Sequence, residues 1–430
     1  MNPSRAAAEL DGRFAGLRER IFVREVDRSL IVLPNRVFGL NDAAYRVLGH
    51  LQRGGRFEVV LRAAPNPKQA AADLADLLQG LESLVQGDGE DVSRQTVSRP
   101  GLEFFEYRKT FFTYPVLSEF ALTRRCNLRC RFCYLDGGCV QEMSTRRARS
   151  IIDKIRDEAQ VPFLSFTGGE PLLRKDLEPL IAHAKARGLR VNLISNGSLL
   201  DAERVRRLVR AGLDSAQISL ESWDAAVHNR LTGVESFDDT VTGIGHLLEA
   251  GIYVHINTTL NRENIDRLER FPHFVASLGV RKFSANLLIP VGRARRSPEL
   301  WLSYRETGPL IERLRSAAAD AGVTFVWYSP LPYCLYNPMQ KGLGATSCAA
   351  CHGLLSIDPA GRILPCSCHP QEVGSWLTHD FKTLWFSRTA LHFRGLQYLE
   401  AACTACDQRE LCAGACPLYW EAVGTDEISG

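Results

Sequence analysis

The sequence predicts an α/β fold, a partial β/α barrel that lies between a small hairpin-and-helices domain and a cysteine-rich region. In the central part of the chain, predicted helices end in glycine and an apolar strand follows at once, at Gly188, Gly212, Gly251, Gly279 and Gly322. Glycine suits the left-handed position that closes a helix. Such alternation of helix and strand favours a parallel sheet. Eight of the 13 cysteines follow residue 346, where periodicity is weak.

The composition is that of ordinary globular domains. The chain has 430 residues, 45% apolar and 23% charged, and this length predicts two or three domains. The net charge of +3 is too small to indicate a nucleic-acid or membrane partner. No apolar run approaches the roughly 18 residues of a membrane span, and the N-terminus does not resemble a signal peptide. We therefore expect a cytoplasmic protein, in which 13 cysteines indicate metal or cluster binding rather than disulfides.

Residues 1–90 are expected to form a winged-helix-like domain. Apolar stretches at 21–26 and 30–33, separated by a polar turn, predict a β-hairpin. Asn41 is the expected N-cap of the next helix. Leucines at helical spacing between residues 71 and 84 predict a further helix. The polar, glycine-bearing segment 86–91 leads into a linker, which is expected at 91–111.

The barrel itself is expected at 112–300. Its six main strands are predicted near 117–122, 163–166, 190–194, 215–220, 252–257 and 281–287. An apolar stripe predicts a helix over 144–159. Residues 301–345 are expected to bridge the barrel to a C-terminal domain at 346–430. Active sites of β/α barrels lie at the C-terminal ends of the strands, so motifs at those positions carry the most functional information.

The most informative motif is a short loop that holds Cys126, Cys130 and Cys133 and continues into Tyr134. Three close thiolates suit an iron–sulfur cluster, which normally has four ligands, so one iron is left open. A zinc loop is the alternative, but zinc sites usually pair two CxxC or CxxH arms. The pattern resembles the radical S-adenosylmethionine (SAM) superfamily. The resemblance implies a six-unit partial barrel, and a 4Fe-4S cluster that binds SAM at its open iron and reductively cleaves it to a 5′-deoxyadenosyl radical.

Further motifs of the same family follow at later strand ends. The resemblance covers roughly residues 115–295 and implies that SAM is bound by residues after the first four strands. These residues are Tyr134, Gly168, Gly169, Glu170, Pro171, Ser195, Ser219 and Arg230. Glycines allow the backbone to approach a ligand closely. Taken alone, the glycine pair is an ordinary turn, Ser219 a strand residue and Arg230 a residue on a solvated helix face.

The C-terminal cysteine spacing resembles the SPASM domain, whose members bind auxiliary 4Fe-4S clusters. Cys351 is separated from Cys366 by nine residues, a glycine and four more, and a C-x2-C-x5-C-x3-C string follows. The resemblance implies a first auxiliary cluster held by Cys348, Cys351, Cys366 and Cys416. The family's first cysteine lies at a variable distance, so Cys334 is an alternative to Cys348.

A second auxiliary cluster would use Cys403, Cys406 and Cys412. The family's fourth ligand is a cysteine downstream of Cys416, and this chain has none. The residues that could close the cluster instead are Cys368, Asp407, Asp426 and Glu427. Otherwise an iron is open and could bind substrate, for example a peptide thiolate. Cys139 and Cys368 have no assigned role.

The N-terminal domain resembles the small PqqD-like chaperone of pyrroloquinoline quinone biosynthesis, a RiPP recognition element. It shares an Arg-Glu-Val-Asp start at residue 24, Leu-Asn before a helix and a leucine-rich last helix. Such domains bind the leader of a ribosomally made precursor peptide as an added strand, here at the edge of 22–26 or 30–33. The alternative is a winged helix that binds DNA or packs on the barrel, and the modest charge disfavours DNA.

Together these resemblances imply a radical SAM/SPASM oxidoreductase that modifies a peptide. It would abstract hydrogen from the precursor and give an oxidative crosslink or a related modification, with electrons from a flavodoxin or ferredoxin. One alternative is a radical SAM enzyme of tetrapyrrole or haem-type cofactor biosynthesis, and another is a non-enzymatic metal-cluster binding protein. No acid or base stands out, and Glu221, Tyr333 and Cys334 are the candidates.

Overall fold

The computed structural model describes residues 3–86, 104–106, 113–137 and 141–428. Most of the predicted linker at 91–111 and the unassigned Cys139 therefore lie outside the described residues. The chain divides into two compact units, Met1–Leu117 and Ser118–Gly430. Within the described residues, no helix has the length and apolar character needed to cross a membrane.

The first unit combines four helices with a small antiparallel sheet. Its elements are α1 (Pro3–Leu17), β1 (Ile21–Arg24), β2 (Ser29–Val32), β3 (Arg36–Leu40), α2 (Asp42–Gln52), α3 (Phe57–Ala63), α4 (Pro67–Gln86) and β4 (Phe104–Glu106). The strands lie in the order β1-β2-β3-β4. Asn41 caps α2 as predicted, since its side chain accepts a hydrogen bond from the Ala44 amide at 2.9 Å. The leucines of α4 bury their side chains in the core of this unit.

The sequence analysis missed α1, α3 and β3, and this changes one expectation. The stretch 30–33 was offered as a possible sheet edge, but β2 lies between β1 and β3, and Ile31 pairs with Val37 of β3. A central strand has both sides hydrogen-bonded and accepts no further strand. That part of the expectation is therefore wrong. The outer strands of this sheet are β1 and β4.

The second unit is built on seven parallel strands. They are β5 (Leu117–Ala121), β6 (Phe163–Thr167), β7 (Arg190–Ser195), β8 (Ser215–Ser219), β9 (Tyr253–Leu260), β10 (Lys282–Leu287) and β11 (Thr324–Trp327). They are hydrogen-bonded in chain order. The first six match the predicted strands, and β11 follows Gly322, one of the helix-ending glycines. This parallel sheet is consistent with a radical SAM partial barrel.

Helices connect these strands, as the alternation predicted. They are α5 (Thr145–Asp157), α6 (Leu177–Ala186), α7 (Ala202–Ala211), α8 (Ala225–Thr232), α9 (Phe237–Glu249), α10 (Arg270–Ser277) and α11 (Tyr304–Asp320). The stripe predicted for α5 is buried: Ile151, Ile152 and Ile155 have no exposed surface. Gly212 closes α7 in the left-handed conformation, with φ of 96°.

One face of the parallel sheet is polar. In a parallel ladder, paired residues point to the same face. Glu119 of β5 pairs with Ser165, Ser165 with Asn192, and Asn192 with Ser215 of β8. We call this surface the polar sheet face, and in β9 and β10 it continues through His255, Asn257, Ser284 and Asn286. Its side chains bond to each other: Ser284 Oγ donates to Asn257 Oδ1 at 2.7 Å, and Asn257 Nδ2 donates to Asn286 Oδ1 at 2.9 Å.

The cysteine-rich region adds three short antiparallel strands to the same sheet, and small helices. Its elements are β12 (Leu354–Ile357), β13 (Arg362–Leu364), β14 (Gly374–Ser375), α12 (Phe381–Trp385), α13 (Arg388–Arg394), α14 (Ala401–Thr404), α15 (Arg409–Cys412) and α16 (Pro417–Val423). β12 lies next to β5 in the sheet. Trp376, Phe381 and Trp385 are fully buried, and Trp376 Nε1 donates to Glu158 at the end of α5 at 3.0 Å.

Candidate active site

The Cys126–Cys133 loop follows β5 and is tied to the neighbouring chain by its backbone. The Arg129 amide donates to Thr232 O at 2.9 Å, and the Arg131 amide donates to Leu231 O at 3.0 Å. On the other side, the Ala294 amide donates to Cys133 O at 3.2 Å. The loop therefore has a defined path that does not depend on its thiols.

The glycine pair after β6 lies directly beneath this loop. The Gly169 amide donates to Thr123 O and the Glu170 amide to Arg125 O, both at 2.8 Å. A Cβ at Gly168 would lie 2.3 Å from Thr123 O, and one at Gly169 would lie 2.3 Å from Arg125 O. Both distances are far shorter than any real contact, so only glycine permits this packing. The two glycines thus set how closely the segment that leads into the cysteine loop packs against the end of β6.

The three loop cysteines lie close enough to influence one another. Burial raises the pKa of the Cys130 thiol, and the nearby Glu221, Cys133 and Cys126 raise it further. Burial also raises the pKa of Cys126, as do Glu170 and Cys133. The Leu128 amide donates to Cys126 Sγ at 3.4 Å. An all-sulfur donor set of this kind fits the 4Fe-4S cluster that the family implies.

Glu170 is fully buried and organises the next strand end. Its carboxylate accepts hydrogen bonds from Ser195 Oγ at 2.8 Å, from the Asn196 amide at 2.9 Å and from the Leu172 amide at 3.0 Å. Burial raises the pKa of this carboxyl to about 7. Ser195 Oγ in turn accepts from the Gly197 amide at 3.0 Å. Both side chains were predicted to contact SAM; here they bond to each other, and the SAM contacts remain predictions.

Asn196 is a site residue that the sequence analysis quoted but did not select. Its Nδ2 donates to Asn127 Oδ1 at 2.9 Å, and Asn127 Nδ2 donates to Ser198 Oγ at 2.8 Å. Asn127 belongs to the cysteine loop, so this pair joins the loop to the end of β7. The repeated Asn in CNLRC and SNGS carried no signal of its own, because only the fold brings the two amides together.

Two other predicted SAM-binding residues lie nearby. Ser219 ends β8 and pairs with Asn257 of β9, on the polar sheet face. Arg230 is half exposed, and its Nε donates to Glu263 at 2.8 Å. Glu263 also bonds to Arg131 in the cysteine loop. Arg230 is thereby held at the rim of the loop.

Tyr134 and Glu119 lie where the barrel meets the cysteine-rich region. Burial raises the pKa of Tyr134 well above its usual value, and the nearby Cys368, Glu119 and Cys133 raise it further. The carboxylate of Glu119 accepts a hydrogen bond from Ser367 Oγ, and burial raises its pKa. Among the strands β5–β11, Glu119 is the sole acidic residue. The sequence analysis missed it because strand parity alone does not show which face carries the chemistry.

The predicted first auxiliary set is brought together. Burial and then the neighbouring Cys348 and Cys366 raise the pKa of Cys416. Burial raises the pKa of Cys351 to about 12, against the lowering effect of Arg394, and Cys366 and Cys348 also raise it. The four thiols therefore lie within electrostatic range of one another. Cys368 lies beside this set, where it hydrogen-bonds to Cys366 and lowers the pKa of that thiol.

The three remaining predicted ligands lie together with Cys334. Burial raises the pKa of Cys403, and the nearby Cys412, Cys334 and Cys406 raise it further. Tyr333 and Cys334 are two of the candidate bases. The Tyr333 amide donates a hydrogen bond to Cys412 Sγ at 3.3 Å, so both residues lie beside this cluster of thiols. Glu221 is buried beside Cys130, and its carboxylate accepts from the Thr259 amide at 2.9 Å. Burial raises its pKa to about 8.

The cysteines covered by the structure are all free thiols. Over the same residues, no three Cys, His, Asp or Glu side chains converge on a single metal-ion position. The cysteines of an iron–sulfur cluster bind different irons, so they need not converge on one point.

Comparison with known proteins agrees with this arrangement. Residues 120–275 match the family model described as the Radical SAM superfamily. The chain is 29% identical over 330 residues to an AdoMet-dependent heme synthase from Nitratidesulfovibrio vulgaris, covering 69% of this chain and 86% of that protein. It is also 29% identical over 330 residues to a PqqA peptide cyclase from Streptomyces rochei, covering 72% and 87%.

The fold is similar to that of Streptococcus suis SuiB bound to the precursor peptide SuiA. That similarity has a TM-score of 0.67 at 15% identity, and it covers 93% of this chain and 95% of the other. At this identity the likeness establishes the fold alone. The sequence matches and the cysteine loop beside its glycine pair lead to one conclusion: residues 120–275 form a radical SAM domain, and the chain is an enzyme that uses S-adenosylmethionine through this domain.

Proposed function

We propose that this enzyme modifies a ribosomally made precursor peptide, abstracting hydrogen from a side chain or Cα to give an oxidative crosslink or a related modification. The observation that carries the proposal lies in the first unit. β4, which is only three residues long, already lies on β3 as an added strand: it pairs with β3 antiparallel, with Gly39 opposite Phe105, and is itself an outer strand of the sheet. A peptide leader that adds as a strand would use the same type of contact.

The outer strand β4 suits a leader better than the outer strand β1. At β1, the Val23 amide donates to Gln52 Oε1 at 2.6 Å, and Gln52 Nε2 donates to Val23 O at 3.1 Å. The Gln52 carboxamide thus makes the two bonds that an added strand would make there. We therefore place the leader at the β4 side of the sheet, where it adds beside β4 or displaces the three residues of β4 from β3.

The catalytic cluster would be held by Cys126, Cys130 and Cys133. When bound, it supplies the electron that cleaves SAM to methionine and the 5′-deoxyadenosyl radical. Glu170 orients the end of β7 through Ser195 and Asn196, and the Asn196–Asn127 bond holds the cysteine loop against that end. Backbone groups of Gly168 and Gly169, with Pro171, Ser219, Arg230 and Tyr134, complete the proposed SAM site. The polar sheet face beneath it would receive the peptide.

Glu119 is the proposed proton acceptor. Oxidation of the peptide after hydrogen abstraction removes one further electron and one proton. Glu119 is the only acidic residue on the seven parallel strands and points to the polar sheet face. Ser367 holds its carboxylate next to Cys366, a proposed ligand of the first auxiliary cluster. The departing proton and electron would therefore leave on the same side of the substrate.

The auxiliary clusters are proposed for the thiols of the cysteine-rich region. Cys348, Cys351, Cys366 and Cys416 would hold the first, and Cys403, Cys406 and Cys412 would contribute to the second. We retain the domain division into 1–90, 112–300 and 346–430 as part of the proposal. A flavodoxin or ferredoxin is the proposed electron donor.

The experiment uses anaerobically reconstituted enzyme with SAM, dithionite and a short precursor peptide encoded beside its gene. We expect 5′-deoxyadenosine to form and the peptide to lose mass, and the same peptide without its leader to remain unmodified. A Cys126/Cys130/Cys133 triple alanine variant should lose SAM cleavage. SAM cleavage with equal modification of the leaderless peptide would contradict the role of the first unit.

The variant Glu119→Gln tests the proton acceptor. It should still cleave SAM but form product about 10²-fold more slowly, the usual size of a general-base contribution. The exposed Glu203→Gln serves as the matched control, since this side chain only pairs with neighbouring arginines on α7. Full product formation by Glu119→Gln would remove Glu119 from the mechanism.

A second candidate function is favoured by the 29% identity to a heme synthase. In that case the polar sheet face would bind a tetrapyrrole carboxylate rather than a peptide. The same assay distinguishes the two, with a tetrapyrrole carboxylate in place of the peptide. Modification of the tetrapyrrole and not of any precursor peptide would replace the peptide proposal.

A further inference from the structure

The second set of cysteines has one member more than its motif supplies. The motif gives Cys403, Cys406 and Cys412, and residues 417–430 contain no cysteine. The sequence offers four candidates for a fourth ligand in the cysteine-rich region, among them Cys368 and Asp407. The structure offers a different residue, from the segment that follows β11.

Cys334 is held against the second set by its own backbone neighbours. The Tyr333 amide donates to Cys412 Sγ at 3.3 Å, and Cys412 Sγ lies 3.6 Å from Leu331 O, to which it donates. The Cys412 thiol is therefore held both as an acceptor, by the Tyr333 amide, and as a donor, by Leu331 O. Cys334 is the next residue along the chain, so it lies close to Cys412.

The other members of the set are positioned around the same point. Cys334 lies within electrostatic range of both Cys403 and Cys412. The turn after Cys412 brings Gly414 to Cys403: a Cβ at Gly414 would lie 3.9 Å from Cys403 Sγ. The Gln408 amide donates to Cys406 Sγ at 3.4 Å, a contact of the kind that stabilises a thiolate.

Cys368, the other unassigned thiol, belongs elsewhere. It hydrogen-bonds to Cys366 and lies near Cys416, so it borders the first auxiliary set. The first set is complete with Cys348, which lies beside Cys366. Cys334 is therefore not needed there, and it lies with the second set instead.

We propose that Cys334 is the fourth ligand of the second auxiliary 4Fe-4S cluster, together with Cys403, Cys406 and Cys412. The proposal rests on the proposed function only in that this region binds iron–sulfur clusters. It assigns a metal ligand to the segment between the barrel and the cysteine-rich region. Four cysteine ligands leave no iron of this cluster open, so the second cluster does not bind the peptide.

The test measures metal content rather than turnover. Anaerobically reconstituted wild type is compared with Cys334→Ser, Cys403→Ser and Cys368→Ser by iron and sulfide analysis and by EPR of the reduced protein. We expect Cys334→Ser and Cys403→Ser to lose the same EPR signal and at least tenfold more iron from that cluster under chelator challenge. Cys368→Ser should retain both. Because Cys334 is exposed, its replacement does not disturb a packed core.

Thiol labelling gives an independent measurement on the unmodified chain. Cys334 and Cys406 are exposed in the structure, so maleimide should label both in protein stripped of metal. In the iron-loaded protein both should be protected, and mass spectrometry of the peptides reads this directly. Parallel protection of Cys334 and Cys406 supports the shared cluster.

Three outcomes would overturn the proposal, and each has a different consequence for the proposed second cluster. Retained iron and EPR in Cys334→Ser, with loss in Cys403→Ser, removes Cys334 alone and leaves the cluster. Unchanged iron in both variants removes the second cluster and with it that part of the proposed function. Zinc in place of iron at these four cysteines would show a structural metal site rather than a cluster.

Discussion

Two cysteine sites in this protein are held in different ways. The Cys126–Cys133 loop is fixed by backbone hydrogen bonds to strand and helix ends and by the glycine pair beneath it. In the second set, Cys403 lies on α14 and Cys412 on α15, helices of four residues each, whereas Cys406 lies between these helices and Cys334 on the segment after β11. Helices this short are not stable alone in water. The first site is therefore built by the fold, whereas we expect the second to depend on the cluster proposed for its thiols.

The largest expected effect comes from breaking the support of the first site. In Gly169→Ala the new Cβ would lie 2.3 Å from Arg125 O and 2.7 Å from Arg124 O. The cysteine loop must then shift, and a displacement of about 1 Å near reacting groups costs about 10²-fold in rate. We expect this loss in 5′-deoxyadenosine formation, with a fall in iron bound by the loop.

The matched control is Gly245→Ala, because a Cβ at Gly245 meets nothing within 4 Å. It replaces glycine by alanine in α9 and should leave SAM cleavage and iron content unchanged. The comparison fails if Gly169→Ala cleaves SAM at the control's rate, because the loop would then tolerate displacement and the glycine pair would not set its position.

The second-largest expected effect is a different response of the two sites to the removal of iron. A chelator under anaerobic conditions is expected to raise amide hydrogen exchange across residues 398–416 by about tenfold or more, because metal binding there supplies folding free energy. Residues 126–133 should change less, since their amides stay bonded to the neighbouring chain. Peptide-resolved exchange by mass spectrometry measures both regions in one sample.

The first half of the cysteine-rich region provides the internal control. Trp376, Phe381 and Trp385 are fully buried there, and Glu158 of the barrel accepts hydrogen bonds from Trp376 Nε1 and from the Phe381 amide at 2.8 Å. Residues 374–394 should therefore keep their protection without iron. Equal loss of protection in 374–394 and 398–416 would mean that the region unfolds as one piece.

The same contrast explains what the sequence could predict. The six predicted strands and the glycine helix ends were found because each depends on local periodicity and on one residue's backbone freedom. Asn41 was found as a cap because capping is local too. β3 was missed because Arg36 and Gly39 interrupt its apolar pattern, and with it the order of strands in the first sheet.

The functional residues show the same difference between local motifs and contacts that join distant segments. The spacing of Cys126, Cys130 and Cys133 lies within one loop, so the sequence alone could predict these ligands, and they stay a prediction. Cys334 and Cys412 are 78 positions apart in the chain, and no local pattern relates them. Glu119 and Ser367 likewise meet only because β12 lies beside β5. The sequence predicts local motifs and leaves open the contacts that the fold makes between distant segments.

The smallest expected effect is a pH dependence that belongs to the barrel alone. His255 lies on the polar sheet face, where its Nε2 lies 2.8 Å from Ser284 Oγ and 3.5 Å from the Tyr328 hydroxyl. Burial and, to a smaller extent, the nearby Lys282 lower its pKa to about 3. The folded state therefore binds the proton much less tightly than the unfolded chain, whose histidine pKa is about 6.5.

The sign and size follow from this difference. Stability from the neutral imidazole is complete above pH 6.5 and is lost as the pH falls towards 3. Between pH 7 and 5.5 the loss is about 1 kcal/mol for one such histidine. His228, whose pKa burial lowers to about 4, contributes in the same window. The unfolding free energy of His255→Gln relative to wild type should therefore rise by about 1 kcal/mol between pH 7 and 5.5, measured by anaerobic denaturant titration with a barrel probe. This difference isolates His255 from Glu170 and Glu221, whose raised pKa values act with the opposite sign in both proteins. If hydrogen exchange at 398–416 shows the same His255-dependent slope, the two regions unfold together and are not independently stabilised.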